Sequence, residues 1–182
     1  MTHSWVQTSL LTCLLLVTFG HAQAGQWLDV PFIKQTPEGC GAASIAMVMQ
    51  YWDAQQFRPS QPASDSDSIL RSTYSQKDRG ILASKVESYF REHGYNTYSF
   101  RGQWTDLEQH IAKGRPLIVA LQPKSRRAPL HYVVITGVDA AKRQVLFNDP
   151  AGRKLQVLDR PTFEKQWSAT DFWTLLAVPR SS

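Results

Sequence analysis

Cys40, in the run Gly39-Cys40-Gly41-Ala42-Ala43-Ser44, is the side chain of this sequence with the most chemical potential. A thiolate attacks carbonyl carbon readily, but it needs a base to form it and donors to hold the charge that grows on the attacked oxygen. The chain offers a candidate for each task. His131 opens the apolar run His131-Tyr132-Val133-Val134-Ile135, Asp149 sits in Phe147-Asn148-Asp149-Pro150, and Gln35 lies five residues before Cys40. Together these residue types point to acyl transfer. The sulfur attacks, the imidazole moves the proton, and the carboxylate holds the ring through its second nitrogen. The Gln35 amide and the Cys40 backbone N–H then receive the oxyanion, a kind of donor that contributes roughly 3–4 kcal/mol to the transition state.

Each residue also has an ordinary role. A free cysteine is most often a small core residue, a histidine on a strand a satisfied core group, and an aspartate before proline a turn former. A loop glutamine is usually solvated. The remaining histidines are weaker candidates. His93 ends an amphipathic helix beside Gly94 and suits its C-terminus, and His110 lies among polar residues of a short helix and reads as exposed. His3 and His21 fall in the first 24 residues.

The elements that must hold these groups follow from the pattern. Trp27 to Ile33 is extended, and Thr36-Pro37-Glu38-Gly39 is a turn. Ile45, Val48, Met49 and Trp52 then recur at helical spacing, so Cys40 stands at a helix start, where free N–H groups and the helix dipole favour negative charge. Residues 53–68 read as a loop, with a short helix from Ser68 to Tyr74. A longer helix runs from Ile81 to His93, with Leu82, Val86, Tyr89 and Phe90 on one face. Tyr95 to Phe100 is a strand, and Thr105 with Glu108 forms a capping box for a helix ending near Gly114. Five β-rich runs follow: Pro116–Gln122, Leu130–Asp139, Gln144–Asp149, Lys154–Leu158 and Phe172–Pro179. A turn at 140–143 joins two of them into a hairpin. The start of one strand then lies opposite the end of the other, which brings His131 and Asp149 to the same edge. Helices first and antiparallel strands after predict an α+β fold.

Composition sets the context. The 182 residues are 42% hydrophobic with charges of both signs throughout, as a packed domain requires. Residues 1–24 hold no Asp, Glu, Lys or Arg, contain the short apolar run Leu10–Phe19, and end in Ala22-Gln23-Ala24, which reads as an export signal cut after Ala24. Residues 25–182 are then one domain, periplasmic or secreted, without a membrane span. Cys13 leaves with the signal, so Cys40 has no disulfide partner, although exported proteins generally pair their structural cysteines. The net charge of +5 is modest, without the basic-aromatic interleaving of a single-strand nucleic-acid binder. No His/Cys cluster calls for a metal, and no cofactor is implied. Lys124-Ser125-Arg126-Arg127 reads as a solvated basic loop, and Trp104, Trp167 and Trp173 as core or rim residues.

Val30-Pro31-Phe32-Ile33-Lys34-Gln35, Gly39-Cys40-Gly41-Ala42-Ala43-Ser44, His131-Tyr132-Val133-Val134 and Asn148-Asp149-Pro150, in this order and spacing, resemble the bacteriocin-processing peptidases. These are papain-like enzymes that cut double-glycine leader peptides, often as domains fused to export transporters. The resemblance implies a papain-like fold, with Cys40 as nucleophile, His131 as base, Asp149 as orienting acid and Gln35 as oxyanion residue. It implies a peptide or protein substrate. With a signal and no transporter segment, the chain looks like the stand-alone, exported branch. Two other readings share the same residues: a cell-wall amidase-type cysteine hydrolase, and a peptide-binding or assembly module that keeps the fold without turnover.

Overall fold

The computed structural model describes residues 25–122 and 130–180; the expected signal and the basic loop Lys124–Arg127 lie outside the described residues. Within them, the chain forms five α-helices and seven strands. The helices are α1 (Cys40–Gln55), α2 (Ser66–Thr73), α3 (Ala83–Glu92), α4 (Trp104–Ala112) and α5 (Arg160–Ser168). The strands are β1 (Gln26–Trp27), β2 (Tyr95–Arg101), β3 (Leu117–Leu121), β4 (His131–Asp139), β5 (Gln144–Asn148), β6 (Gln156–Asp159) and β7 (Trp173–Pro179). No helix among the described residues is long and apolar enough to cross a membrane.

The sheet runs β2-β7-β3-β4-β5-β6, and every neighbouring pair is antiparallel. The two-residue β1 pairs with the far end of β4, opposite Gly137 and Val138, beyond the point where β3 stops. The central strands β3 and β4 are apolar on both faces because both faces are covered. On one side Ile118, Ala120, Tyr132, Val134 and Leu175 meet α1 and α3. On the other, Val119, Val133, Phe147 and Leu176 meet Leu107 of α4 and Phe163 and Trp167 of α5. The α+β expectation holds, and the helices form two layers around the sheet rather than one.

Local sequence explains most elements. α1 is buried almost continuously from Gly41 to Met49, not along the single face that the spacing of Ile45, Val48, Met49 and Trp52 suggests. The sheet encloses it on one side and α2 and α3 on the others, so its small residues are contact surface too. The loop read over 53–68 is shorter: α1 runs to Gln55, and α2 begins at Ser66 behind Asp65, whose carboxylate accepts from the Ser68 N–H at 2.8 Å. α4 starts earlier than Thr105. Gln103 is its N-cap, the Asp106 carboxylate returns to the Gln103 N–H at 2.7 Å, and Glu108 instead accepts from the Trp104 indole N–H. Leu82 is the exposed N-cap of α3 rather than part of its buried face.

Helix α5 is the element that the β-rich reading of the C-terminal half passes over. Its signals are present: Asp159 accepts from the Thr162 N–H at 3.0 Å, Pro161 sits in the first turn, and Phe163 and Trp167 share a face. Both aromatic rings are fully buried under the sheet. Trp167 is thus a core residue, its indole N–H donating to the Trp173 carbonyl at 3.2 Å. Trp167→Ala is expected to lower stability by roughly 3–5 kcal/mol, the usual loss when a large buried aromatic is truncated. Urea denaturation checks this; a midpoint within experimental error of the wild type would contradict the core assignment.

Candidate functional site

Cys40 is the first residue of α1, with Gly39 as N-cap and no acidic side chain in the first turn. The unpaired N–H groups of that turn and the positive end of the helix dipole therefore act on the sulfur unopposed by a nearby carboxylate on the helix itself. The thiol is unpaired and partly exposed. Gly41 matters here for space. A Cβ at that position would lie 3.1 Å from Ile81 Cβ and 3.4 Å from Tyr132 Cδ2, so only a minimal residue lets the helix start settle this closely against both.

His131 is the first residue of β4, and Asp149 follows the last residue of β5. The register sets Val134 opposite Asn148, so the two side chains project from adjacent strands at one end of the sheet. His131 Nε2 and Asp149 Oδ1 are 2.6 Å apart. That contact leaves Nδ1 as the ring nitrogen available to Cys40, with which the ring also interacts. Burial disfavours the charged ring; the bonds to Asp149 and Cys40 and the charges on both outweigh it, and the His131 pKa is pushed up to about 9. For Asp149, burial works against ionisation. The bond and charge of His131, the Ala151 N–H at 2.9 Å and the Gln156 side-chain amide at 2.9 Å more than offset it and hold the carboxyl below its ordinary range.

Gln35 is anchored through its backbone, whose N–H donates to the Pro150 carbonyl at 3.0 Å. Its side-chain Oε1 is shut off from solvent and has no hydrogen-bond partner among the described residues. Gln35, Cys40, His131 and Tyr132 line one cleft of about 650 Å³. The opposite wall is the segment after α2, where Ser75 and Gly80 form an isolated bridge. Glu38, in left-handed backbone at φ 59°, accepts from the Tyr74 hydroxyl and, at 2.9 Å, from Arg79 Nε. Asp149 does not line this cleft. It stands behind His131 and faces a second cavity of about 260 Å³ on the α5 side of the sheet, which His131 also reaches.

Cys40, His131 and Gln35 therefore share one cleft, with Asp149 bonded to His131 from behind. Neither His93 nor His110 joins them. His93 caps α3, as its position implies, with its ring stacked 4.1 Å from that of Tyr89. His110 is half-buried rather than exposed: its ring packs near Phe100, its Nδ1 is closed off, and burial with the nearby Arg115 lowers its pKa. Sequence reasoning missed Gln156 and the Glu38–Arg79 pair. Glu38 was visible by proximity to Cys40; Gln156 becomes visible only once β6 is registered against β5.

The sequence of residues 27–174 matches the model of the peptidase C39-like family. Three solved structures share the fold over most of their length. A candidate C39-like peptidase from Bacillus anthracis superposes with a TM-score of 0.68 at 17% identity, covering 87% of this chain and 99% of that one. The peptidase domain of Streptococcus ComA, a bifunctional ABC transporter of a quorum-sensing pathway, gives 0.62 at 20%, covering 81% and 97%. A double-glycine motif protease from an AMS/PCAT transporter, solved with its leader peptide, gives 0.61 at 23%, covering 85% and 95%. No curated protein shows significant sequence similarity to the chain. At these identities the structures speak for the fold, which is that of papain-like C39 peptidases, while the match over residues 27–174 speaks for descent: the chain belongs to the peptidase C39-like family.

Proposed function

We propose that the protein is an exported cysteine peptidase that hydrolyses peptide bonds through Cys40, His131 and Asp149. The observation that carries this reading is the 2.6 Å contact between His131 and Asp149, made by a ring that lines one cleft with a cysteine at a helix start. The His131 ring, its pKa pushed up to about 9, and the helix start beside it both favour negative charge on the attacking sulfur. The thiolate attacks the carbonyl carbon of a peptide lying in the cleft. His131 passes its proton to the leaving amine, and water, deprotonated by the same ring, then releases the acyl group from sulfur. The Gln35 side-chain amide and the Cys40 N–H receive the oxyanion. Peptide is the substrate class that the cleft favours: it is open, about 650 Å³, and mixed in polarity. The double-glycine protease among the structural neighbours was solved with a leader peptide, which supports the same class. Export rests on residues 1–24, with their apolar run and their small residues before Gly25.

Hydrolysis of an unstructured peptide library under reducing conditions, read by mass spectrometry, tests the core of this proposal. Cys40→Ala is expected to abolish cleavage, and equal product from wild type and variant would sink it. Gln35→Ala is expected to lower kcat by roughly 10²–10³ with little change in KM, the loss typical of an oxyanion donor.

The pH profile provides a second check. Activity requires charged His131, so kcat/KM is expected to fall as pH rises through about 9, the value to which the ring is pushed. In Asp149→Asn the ring loses an acceptor charge that favours its proton, so the alkaline limb moves toward neutral pH. An unmoved limb would remove Asp149 from the constellation.

Export has its own readout. Expression of the full chain in a Gram-negative host followed by fractionation is expected to place a product beginning at Gly25 in the periplasm. A cytoplasmic product that retains residues 1–24 would contradict it.

A further inference from the structure

We propose that Gln156, at the start of β6, is a positioning residue that fixes the Asp149 carboxylate in the plane from which it holds His131. The inference rests on the triad reading above but concerns a different side chain. Register explains why Gln156 can reach. Gln156 pairs with Phe147 across β5 and β6, so the two side chains share a face, and Asp149 lies two residues beyond Phe147 on that same face. The Gln156 Nε2 donates to Asp149 Oδ2 at 2.9 Å.

The carboxylate has two oxygens to place. Oδ1 serves the ring of His131 at 2.6 Å and accepts the Ala151 N–H at 2.9 Å. These two contacts oppose rotation about the Cβ–Cγ bond from one oxygen only; a donor on Oδ2 holds the carboxylate at both ends. A glutamine suits this place because its amide donates a hydrogen bond without adding charge, so Asp149 stays an acceptor toward His131. A lysine or arginine there would compete with His131 for the same carboxylate.

The turn between β5 and β6 is shaped around this amide. Gly152 donates its N–H to the Asp149 carbonyl at 2.9 Å. A Cβ on Gly152 would lie 2.3 Å from Gln156 Nε2 and 3.2 Å from Asp149 Oδ2. The turn thus packs directly against the amide and the carboxylate. Two independent features, the hydrogen bond and the close approach of the turn, converge on the same two groups.

Three variants test the proposal: Gln156→Leu, which removes the donor; Gln156→Glu, which keeps the shape but presents a second carboxylate; and Gly152→Ala, which displaces the amide without touching it chemically. The titratable and charged groups around the ring are Asp149 in contact with it, and Cys40, Glu38, Asp78, Arg79 and Tyr132 along the cleft. Two readouts are used. One is the proton NMR resonance of the His131–Asp149 bond, which needs no turnover. The other is kcat relative to wild type at the same pH. Gln156→Leu and Gly152→Ala are expected to lose or broaden the bridging resonance with circular dichroism unchanged. Both should lower kcat about tenfold with KM within about twofold, as for a catalytic group slightly misplaced. Gln156→Glu should show the same deficit at pH 8 and recover as pH falls toward 5.5, because the protonated glutamic acid can again donate to Asp149. A structural role alone would give no such recovery.

A bridging resonance unchanged in Gln156→Leu, or a Gln156→Glu deficit that does not vary with pH, would overturn the inference. Failure of the peptidase reading looks different: Cys40→Ala would then match wild type in turnover while the resonance still responds to Gln156.

Discussion

Asn148 is fully buried, and the site hangs on what it holds. Its side-chain NH₂ donates to the Val30 carbonyl at 3.1 Å and lies 3.4 Å from that of Pro31, while its side-chain oxygen accepts the Leu155 N–H at 3.0 Å. The Gln35 N–H completes the tie by donating to the Pro150 carbonyl at 3.0 Å. These bonds join the segment leading into Cys40 to the strand end that carries Asp149, across more than a hundred residues of sequence. Asn148 and Val30 are closed to water, so the buried amide needs its partners. Losing the amide would strand the buried Val30 carbonyl, at roughly 1–3 kcal/mol for a group left unsatisfied, and would release the Leu155 N–H as well. An apolar core residue could glue the two segments together; only a fully satisfied amide also fixes their register.

Once those segments are joined, the charge distribution follows. The ring of His131 meets a carboxylate on one side and a thiol on the other, and the helix start lies beyond the thiol. The interactions of the ring with these two neighbours therefore outweigh the cost of burying its charged form. Asp149 in turn is stabilised by neutral donors, the Ala151 N–H and the Gln156 amide, as well as by the ring itself. No lysine or arginine contacts the carboxylate, which keeps His131 its only cationic partner among the described residues.

Much of this arrangement can be read in the sequence, for reasons that differ from residue to residue. Cys40 was legible because a turn, a run of small residues and a helical period meet there. His131 and Asp149 were legible together, since a hairpin with a four-residue turn leaves little freedom in which strand ends meet. The fold class followed from the order of periodic segments. What stayed hidden has physical causes. α5 carries only two apolar residues on its buried face, Phe163 and Trp167, so its period is faint among charged neighbours, and only its caps announce it. The partial burial of His110 depends on how α4 lies against β2, which no local pattern encodes. Gln156 and Asn148 act through register and long-range ties, and a polar residue at a strand end looks the same whether or not it reaches a distant partner.

The structure also separates what must be rigid from what can vary. Cys40, His131 and Asp149 are all placed by the ends of regular elements that pack into the two cores. Rotating any of them would mean moving a helix or a strand. The opposite wall of the cleft is built otherwise. It comes from the loop after α2, which meets the Cys40 turn through Glu38, and Glu38 is held by Tyr74 and Arg79 at a largely exposed rim. An exposed ion pair of this kind contributes little to global stability, so the wall can change shape and sequence without disturbing the geometry around Cys40 and His131. Residues 74–82 can therefore vary while the arrangement of Cys40, His131 and Asp149 at the sheet end persists beneath them.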